Sequence, residues 1–264
     1  MMVVIAKHRA LVERLNFATL AGVKAFTGDL VKDHRGRRDI VRIHATDDQG
    51  REVILFLKRN WKPYKKDGLS SVLKRGSVWS IAREEWENSM NLQKAGLKTC
   101  ALVAYGEERG PLWEKFSFIL TEAATGNRTV QDFLRECRDA ELRMKVLDAL
   151  ALEIRKMHAA GLATPDLFTR HIFVDETVET PVFCLIDMAR MDSGKSVSIR
   201  TRARDMAALH VTAPLRFVTT RERLRFLHIY SGSVDRGLRR LILQRAGHLL
   251  ERRKFNDFAA MVQA

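Results

Sequence analysis

Residues 162–192 read LATPDLFTRHIFVDETVETPVFCLIDMARMD. Two strand-like runs, HIFVD (171–175) and VFCLID (182–187), flank ETVETP, which has the composition of a turn; together they read as a short hairpin. Asp166 stands in the loop that feeds the first run, and Asp187 ends the second. A hairpin brings its outer ends together, so residues 166–171 and Asp187 are expected side by side. Two isolated carboxylates brought to one place need a chemical reason.

The segment is flanked by helical patterns. Upstream, in LRMKVLDALALEIRKMHAAG, the residues Val146, Leu147, Leu150, Ile154 and Met157 recur at helical spacing, and Gly161 suits a C-cap. Helical periods dominate from TVQDFLREC onward. Before about residue 125 the pattern is mostly strand-like. DIVRIHAT and REVILFLKRN are β-branched, apolar runs joined by the turn sequence DDQG, and KFSFILTEA reads as a further strand. The expectation is an α/β chain of two lobes, a β-rich lobe over residues 1–125 and an α-rich lobe over 126–264.

In VILFLKRN, alternation places Val53, Leu55 and Leu57 on one face and Ile54, Phe56 and Lys58 on the other, so Lys58 continues an apolar row. The following helix, SIAREEWENSMNLQKAG, starts at a possible cap, Ser80, and ends at Gly96. Ile81, Ala82, Trp86 and Leu92 form its apolar arc; Glu85 falls inside that arc, whereas Glu84 and Glu87 fall outside it. A carboxylate on a buried face needs a cation, and Lys58, on the strand just before, is the candidate. A strand lysine paired with a helix glutamate is how a kinase small lobe holds the phosphates of ATP. Taken singly, Lys58 also reads as a snorkelling surface lysine, and Asp166 and Asp187 as loop caps.

Phosphoryl transfer gives the two aspartates their reason. One carboxylate orients or deprotonates the acceptor hydroxyl, and another holds magnesium on the phosphates. His171 lies five positions after Asp166, where the protein-kinase pattern HRDxxxxN puts its second metal ligand. Lys58, Glu85, Asp166, His171 and Asp187 thus follow one another in kinase order.

The stretches FLKRN, EEWENSMNLQKAGLKTCALVAYGE, FILTEAATG, MHAAGLATPDLFTRHIFVD and CLIDMARM resemble the bacterial lipopolysaccharide core kinases of the InaA/WaaP type. The similarity runs from about GDLVKDHRGRRDIVRI to RERLRFLHIYSG, most of the chain. It implies a two-lobed, protein-kinase-like α/β fold and an ATP- and Mg2+-dependent kinase acting on a sugar hydroxyl, a heptose, of the lipopolysaccharide inner core or a related envelope glycolipid. It also implies that Lys58 and Glu85 hold ATP, that Asp166 is catalytic, and that His171 and Asp187 bind Mg2+. In RARDMAALH, Asp205 resembles the helix aspartate that braces the catalytic loop in kinase-like folds. Two departures stand out. The family's His-Arg-Asp is Thr164-Pro165-Asp166 here, and Met188-Ala189 follow Asp187 where protein kinases have Phe-Gly. Gly28 and Gly36 lie in FTGDLVKDHRGRRD without a GxGxxG pattern, and Arg35, Arg37 and Arg38 could neutralise phosphates there.

Composition is compatible with this. A chain of 264 residues with 46% apolar and 30% charged residues is globular, and the net charge of +14 predicts an anionic partner. Basic residues alternate with Trp61, Tyr64 and Trp79 in KRNWKPYKKDGLSSVLKRGSVW, and recur through RTRARD, RERLRF and ERRKF. An anionic glycolipid acceptor at the inner membrane fits that charge; nucleic acid is the rival, without a recognised module beside it. Three scattered cysteines without a CxxC pair, and an opening MMVVIAKHRALVERL broken early by Lys7 and Arg9, suit a cytoplasmic protein on the inner face of that membrane. A small-molecule phosphotransferase, a Ser/Thr protein kinase and an inactive nucleotide-binding module remain as alternatives. The sequence leaves the oligomeric state open.

Overall fold

Residues 1–61, 76–110, 113–213 and 216–251 are described by the structure, a computed structural model. Within it the chain forms two compact units, residues 1–90 with 100–123, and residues 91–99 with 124–264.

The first unit is built on an antiparallel sheet of six strands: β1 (Met2–Val4), β2 (Asp29–Asp33), β3 (Arg38–Thr46), β4 (Glu52–Asn60), β5 (Leu102–Arg109) and β6 (Glu114–Glu122). Their spatial order is β1-β5-β6-β4-β3-β2. The β3–β4 hairpin is in continuous register from Arg38 opposite Asn60 to Thr46 opposite Glu52. Its turn is held by Asp47, whose carboxylate accepts from the amides of Gln49 and Arg51. One face of the sheet packs against α1 (Arg9–Arg14) and α2 (Leu20–Ala25), burying Val41, Ile43, Leu55, Leu57, Phe116 and Phe118 with Leu11, Phe17 and Val23. The other face receives α3 (Ile81–Lys94), whose Ala82 and Trp86 pack on Leu102, Tyr105 and Ile119.

On β4 the core row is Val53, Leu55, Leu57 and then Arg59, whose guanidinium is buried on Asp39 and on the carbonyls of Val23 and Phe26. Lys58 therefore belongs to the opposite, less buried row, in which Ile54 is exposed. The apolar row expected to lead to Lys58 is the face toward α3, and the lysine is covered there by Glu85 rather than by hydrocarbon.

The second unit is mainly helical: α4 (Val130–Glu136), α5 (Ala140–Ala159), α6 (Ile199–Thr212), α7 (Thr220–Ser231) and α8 (Arg236–Leu250). All five starts are capped, by Thr129, Asp139, Ser198, Thr219 and Asp235, with Thr219 in a full capping box with Glu222. The core joins Val146, Leu150, Ile154 and Met157 of α5 to Met206 of α6 and Phe226 of α7. Leu92 and Leu97 belong to the same core.

The opening hairpin forms as read. Strands β7 (Ile172–Asp175) and β8 (Val182–Leu185) pair from Ile172 opposite Leu185 to Asp175 opposite Val182. At the base of this segment Leu162–Ala163 pairs antiparallel with Asp192–Ser193, and the Gly194 amide donates to the Gly161 carbonyl at 3.0 Å. Gly161 has φ +78°, and a Cβ there would stand 1.9 Å from the Gly194 carbonyl oxygen, so both conformation and space require glycine.

Candidate functional site

In the first unit, Lys58 Nζ lies 2.5 Å from Glu85 Oε1, and Arg38 of β3 lies 3.7 Å from Glu85 Oε2. Only 6% of the Glu85 side chain and 15% of the Lys58 side chain are exposed. Alternation explains the convergence. Arg38 and Ile40 share a face of β3, and Ile40 is the register partner of Lys58. Glu85 is one helical turn into α3, on the face bearing Ala82, Ser89 and Trp86, all of them buried. Two cations against one buried carboxylate make a site suited to polyanionic phosphate.

In the second unit, the loop after α5 is pinned from beneath. Asp205, fully buried on α6, accepts from the Thr164 amide at 2.7 Å through Oδ2 and from Arg204 Nε at 2.8 Å through Oδ1. His158 links Asp205 to Tyr230, with Nε2 3.2 Å from Asp205 Oδ2 and Nδ1 2.6 Å from the Tyr230 hydroxyl. Burial pushes the Tyr230 phenol up to about 12. Thr164 Oγ1 in turn accepts from the Asp166 amide at 3.2 Å. The variant Thr-Pro-Asp loop thus supplies its own turn: threonine fills a fully buried position and ties the aspartate to the helix below.

Above that base, Asp166, His171 and Asp187 converge. His171 Nδ1 donates to the Asp166 carbonyl at 3.0 Å, which leaves Nε2 as the acceptor. That Nε2 takes a hydrogen bond from Arg170 Nε at 3.1 Å and lies 3.9 Å from Asp187 Oδ2. Burial holds the imidazole below its ordinary pKa, and the Asp187 carboxylate opposes this. The backbone of Asp187 is left-handed, φ 61°, one of three such non-glycine residues among those described. Strain at a carboxylate of this kind is characteristic of functional sites.

The Asp166 side chain is 14% exposed and receives a 3.0 Å hydrogen bond from Arg190, whose own side chain is 70% exposed. Burial raises the Asp166 pKa; Arg190 is the largest influence in the other direction.

The model of the lipopolysaccharide kinase (Kdo/WaaP) family matches residues 21–230. The chain belongs to that family. The lipopolysaccharide core heptose(I) kinase WaaP of Pseudomonas aeruginosa is 30% identical over 237 residues, covering 86% of this chain and 84% of the relative. Its namesake from Escherichia coli K12 is 25% identical over 221 residues, covering 80% and 81%. A solved structure of WaaP in complex with acyl carrier protein aligns over the whole of both chains with a TM-score of 0.68 and 25% identity. The lipopolysaccharide kinase family gives the α/β architecture its kinase-like character and makes the chain a kinase.

Arg190 escapes a reading of this lipopolysaccharide kinase's sequence, because an arginine five residues beyond a strand end carries no periodic signal. The Arg170 contact to His171 is equally silent. Of the basic clusters, Lys62, Tyr64, Lys65 and Lys66 and the Arg252–Phe255 part of ERRKF lie outside the described residues. Among the described residues, no helix is long and apolar enough to cross a membrane. The second unit also holds an apolar cavity of about 450 Å³, lined by Leu134, Leu150, Met206 and Leu227 and edged by Arg223 and Arg239.

Proposed function

We propose that the protein transfers the γ-phosphoryl group of ATP to a heptose hydroxyl of the lipopolysaccharide inner core. The observation that carries this reading is the convergence of Asp166, His171 and Asp187 at one hairpin of a lipopolysaccharide kinase. Lys58, steadied by Glu85, binds the α- and β-phosphates, and Arg38 adds positive charge beside them. Asp166 accepts the acceptor hydroxyl's proton as its oxygen bonds to phosphorus and the bond to ADP breaks. Loss of the charge on Asp166 through protonation is opposed by Arg190.

Asp187, with the His171 Nε2 once Arg170 gives up its hydrogen bond to that nitrogen, would hold Mg2+. The fit is to a partial protein shell: the described residues hold no cluster of three or more His, Cys, Asp or Glu able to bind a metal. Mg2+ commonly takes one or two protein carboxylates and completes its shell with water and phosphate oxygens. When bound, it offsets the charge of the phosphates.

The acceptor places the protein on the cytoplasmic face of the inner membrane, and its net charge of +14 favours an anionic surface. Binding to anionic vesicles or core glycolipid should fall steeply with added salt. Tight binding to nucleic acid with none to glycolipid would favour the rival partner. Acyl carrier protein is a proposed partner. The related kinase was solved with it, and the 450 Å³ apolar cavity has the chemistry to take a fatty acyl group. Intact mass spectrometry of the purified protein under native conditions tests for it.

The decisive experiment compares core glycolipid from cells with and without the protein by mass spectrometry. A phosphate missing in its absence, and restored by the parent but not by Asp166→Asn, supports the assignment. An unchanged glycolipid moves the function to another acceptor.

A further inference from the structure

The wall of the first unit beside α3 contains two carboxylates that the phosphoryl-transfer reading does not use. Glu107 of β5 and Glu114 of β6 are both buried, and Glu107 Oε1 and Oε2 and Glu114 Oε1 have no hydrogen-bond partner among the described residues. Arg109 Nε stands 3.3 Å and Arg83 4.0 Å from Glu107 Oε1. Glu114 faces the other way. Its Oε2 accepts from the Ile81 amide, the first residue of α3, at 3.0 Å, and the Ser117 hydroxyl acts to lower the pKa of this carboxylate. Ser117 is fixed by Asn60, the residue two beyond Lys58 on β4, whose Nδ2 donates to its Oγ at 3.1 Å.

We infer that Glu114 is a positioning residue: by clasping the first turn of α3 it sets where Glu85, one turn later, meets Lys58. This rests on the proposed nucleotide role of the Lys58–Glu85 pair. The chain of contacts is short and lies within one unit. It runs from Glu114 to the Ile81 amide, along one helical turn to Glu85, and back through Lys58 and Asn60 to Ser117 beneath Glu114. Ser80 Oγ accepts from the Arg83 amide, so α3 has two acceptors at its start, one from its own cap and one reaching across from the sheet. An ionised carboxylate also interacts favourably with the positive end of the helix, which a neutral acceptor does far less.

The clasp is sensitive to protonation near neutrality. Burial pushes the Glu114 carboxyl up to about 7, and the charges of Glu107 on β5 and Glu84 on α3 push in the same direction. Its hydrogen bonds from Ser117 and Ile81 oppose them. As pH falls through that value the carboxyl takes up a proton, and its hold on the helix start weakens.

The test is the KM for ATP of the full-length protein and its Glu114→Gln variant, measured from about pH 6 to about pH 8. Glutamine keeps an acceptor for the Ile81 amide and removes the charge, so it mimics the protonated state at every pH. The ratio of KM values, variant to parent, should stand near 1 at the acid end and rise to about 3- to 10-fold at the alkaline end. The nucleotide's own titration enters both proteins equally and cancels. The KM for acceptor and the kcat at saturating ATP should stay within about two-fold, a split that general destabilisation does not produce. Glu107→Gln, which removes a repelling neighbour, should move the midpoint of the parent's pH dependence downward. A ratio that does not change with pH, or an unmoved midpoint in the Glu107 variant, overturns the inference. Lys58→Met separates the two levels: if it leaves ATP binding intact, the nucleotide role itself fails. If it abolishes binding while Glu114→Gln has no effect, only the clasp fails.

Discussion

Each unit presents a carboxylate to a cation at close range, and the two pairs differ in burial. Glu85 and Lys58 are both largely withdrawn from water, whereas Asp166 is withdrawn and its partner Arg190 is mostly in solvent. A buried pair is costly to break, since either partner left alone is an uncompensated charge. A pair with one exposed arm exchanges readily, because water and counter-ions replace the arm at little cost. The first arrangement suits a fixed anchor for phosphates. The second suits a carboxylate that must be released to an incoming hydroxyl.

Four substitutions test that contrast, in falling order of expected effect. Asp166→Asn should lower kcat by about 10²- to 10⁴-fold while nucleotide binding stays near that of the parent. Equal turnover by the variant would remove Asp166 from the chemistry. Lys58→Met should abolish the thermal stabilisation given by ATP and lower the apo melting temperature, because among the described residues Glu85 keeps the more distant Arg38 alone; the loss is of order 3 kcal/mol. Unaltered melting curves with and without ATP would show that the pair is no anchor.

Glu114→Gln comes next, and its sign follows from linkage. The carboxyl titrates at about 7 in the folded chain against a reference of 4.5. The stability attached to it is therefore full below 4.5, declines as pH rises to about 7, and is flat above. The variant should accordingly melt higher than the parent at about pH 8, by up to roughly 1–3 kcal/mol, with the advantage vanishing near pH 4.5. A stabler protein that binds ATP less well would mark a charge kept for position. Arg190→Ala should change stability least, by less than about 1 kcal/mol in denaturant unfolding. A larger loss would show that the exposed arm is as structural as the buried pair.

Much of this was legible in the residues. The hairpin around Asp166 and Asp187 was announced by two β-branched runs and a turn, and Glu85 by a polar residue on an apolar arc. Period carries that information. Strand β5 is different: from Leu102 to Glu107 every residue is buried, so no alternation marks it as a strand. Glu107 and Glu114 were hidden for the same reason, since ionisable residues on strands normally read as solvent-facing. Lys58 was correctly paired with Glu85, but through a face of β4 that is less apolar than its pattern suggests, the core row running instead into buried Arg59. Arg190 and Arg170 act through side-chain reach beyond regular structure, which spacing does not encode.

The stitch at Gly161 and Gly194 has one further consequence. It closes residues 162–193 into a loop whose neck is two short strands and whose far tip is ETVETP. Asp166, His171, Asp187 and Arg190 all lie between neck and tip, and the loop is also held along its length: β7 pairs with Arg128–Thr129, β8 with Lys98–Thr99, and the Thr164 amide is bonded to Asp205. Its amide hydrogens should exchange slowest in the paired strands β7 and β8 and fastest at the tip. Added length at the tip would lengthen only the closed loop, at a cost that grows slowly with its size. A side chain at position 161 would unfasten the neck. Substitutions should therefore be tolerated at the tip and not at position 161.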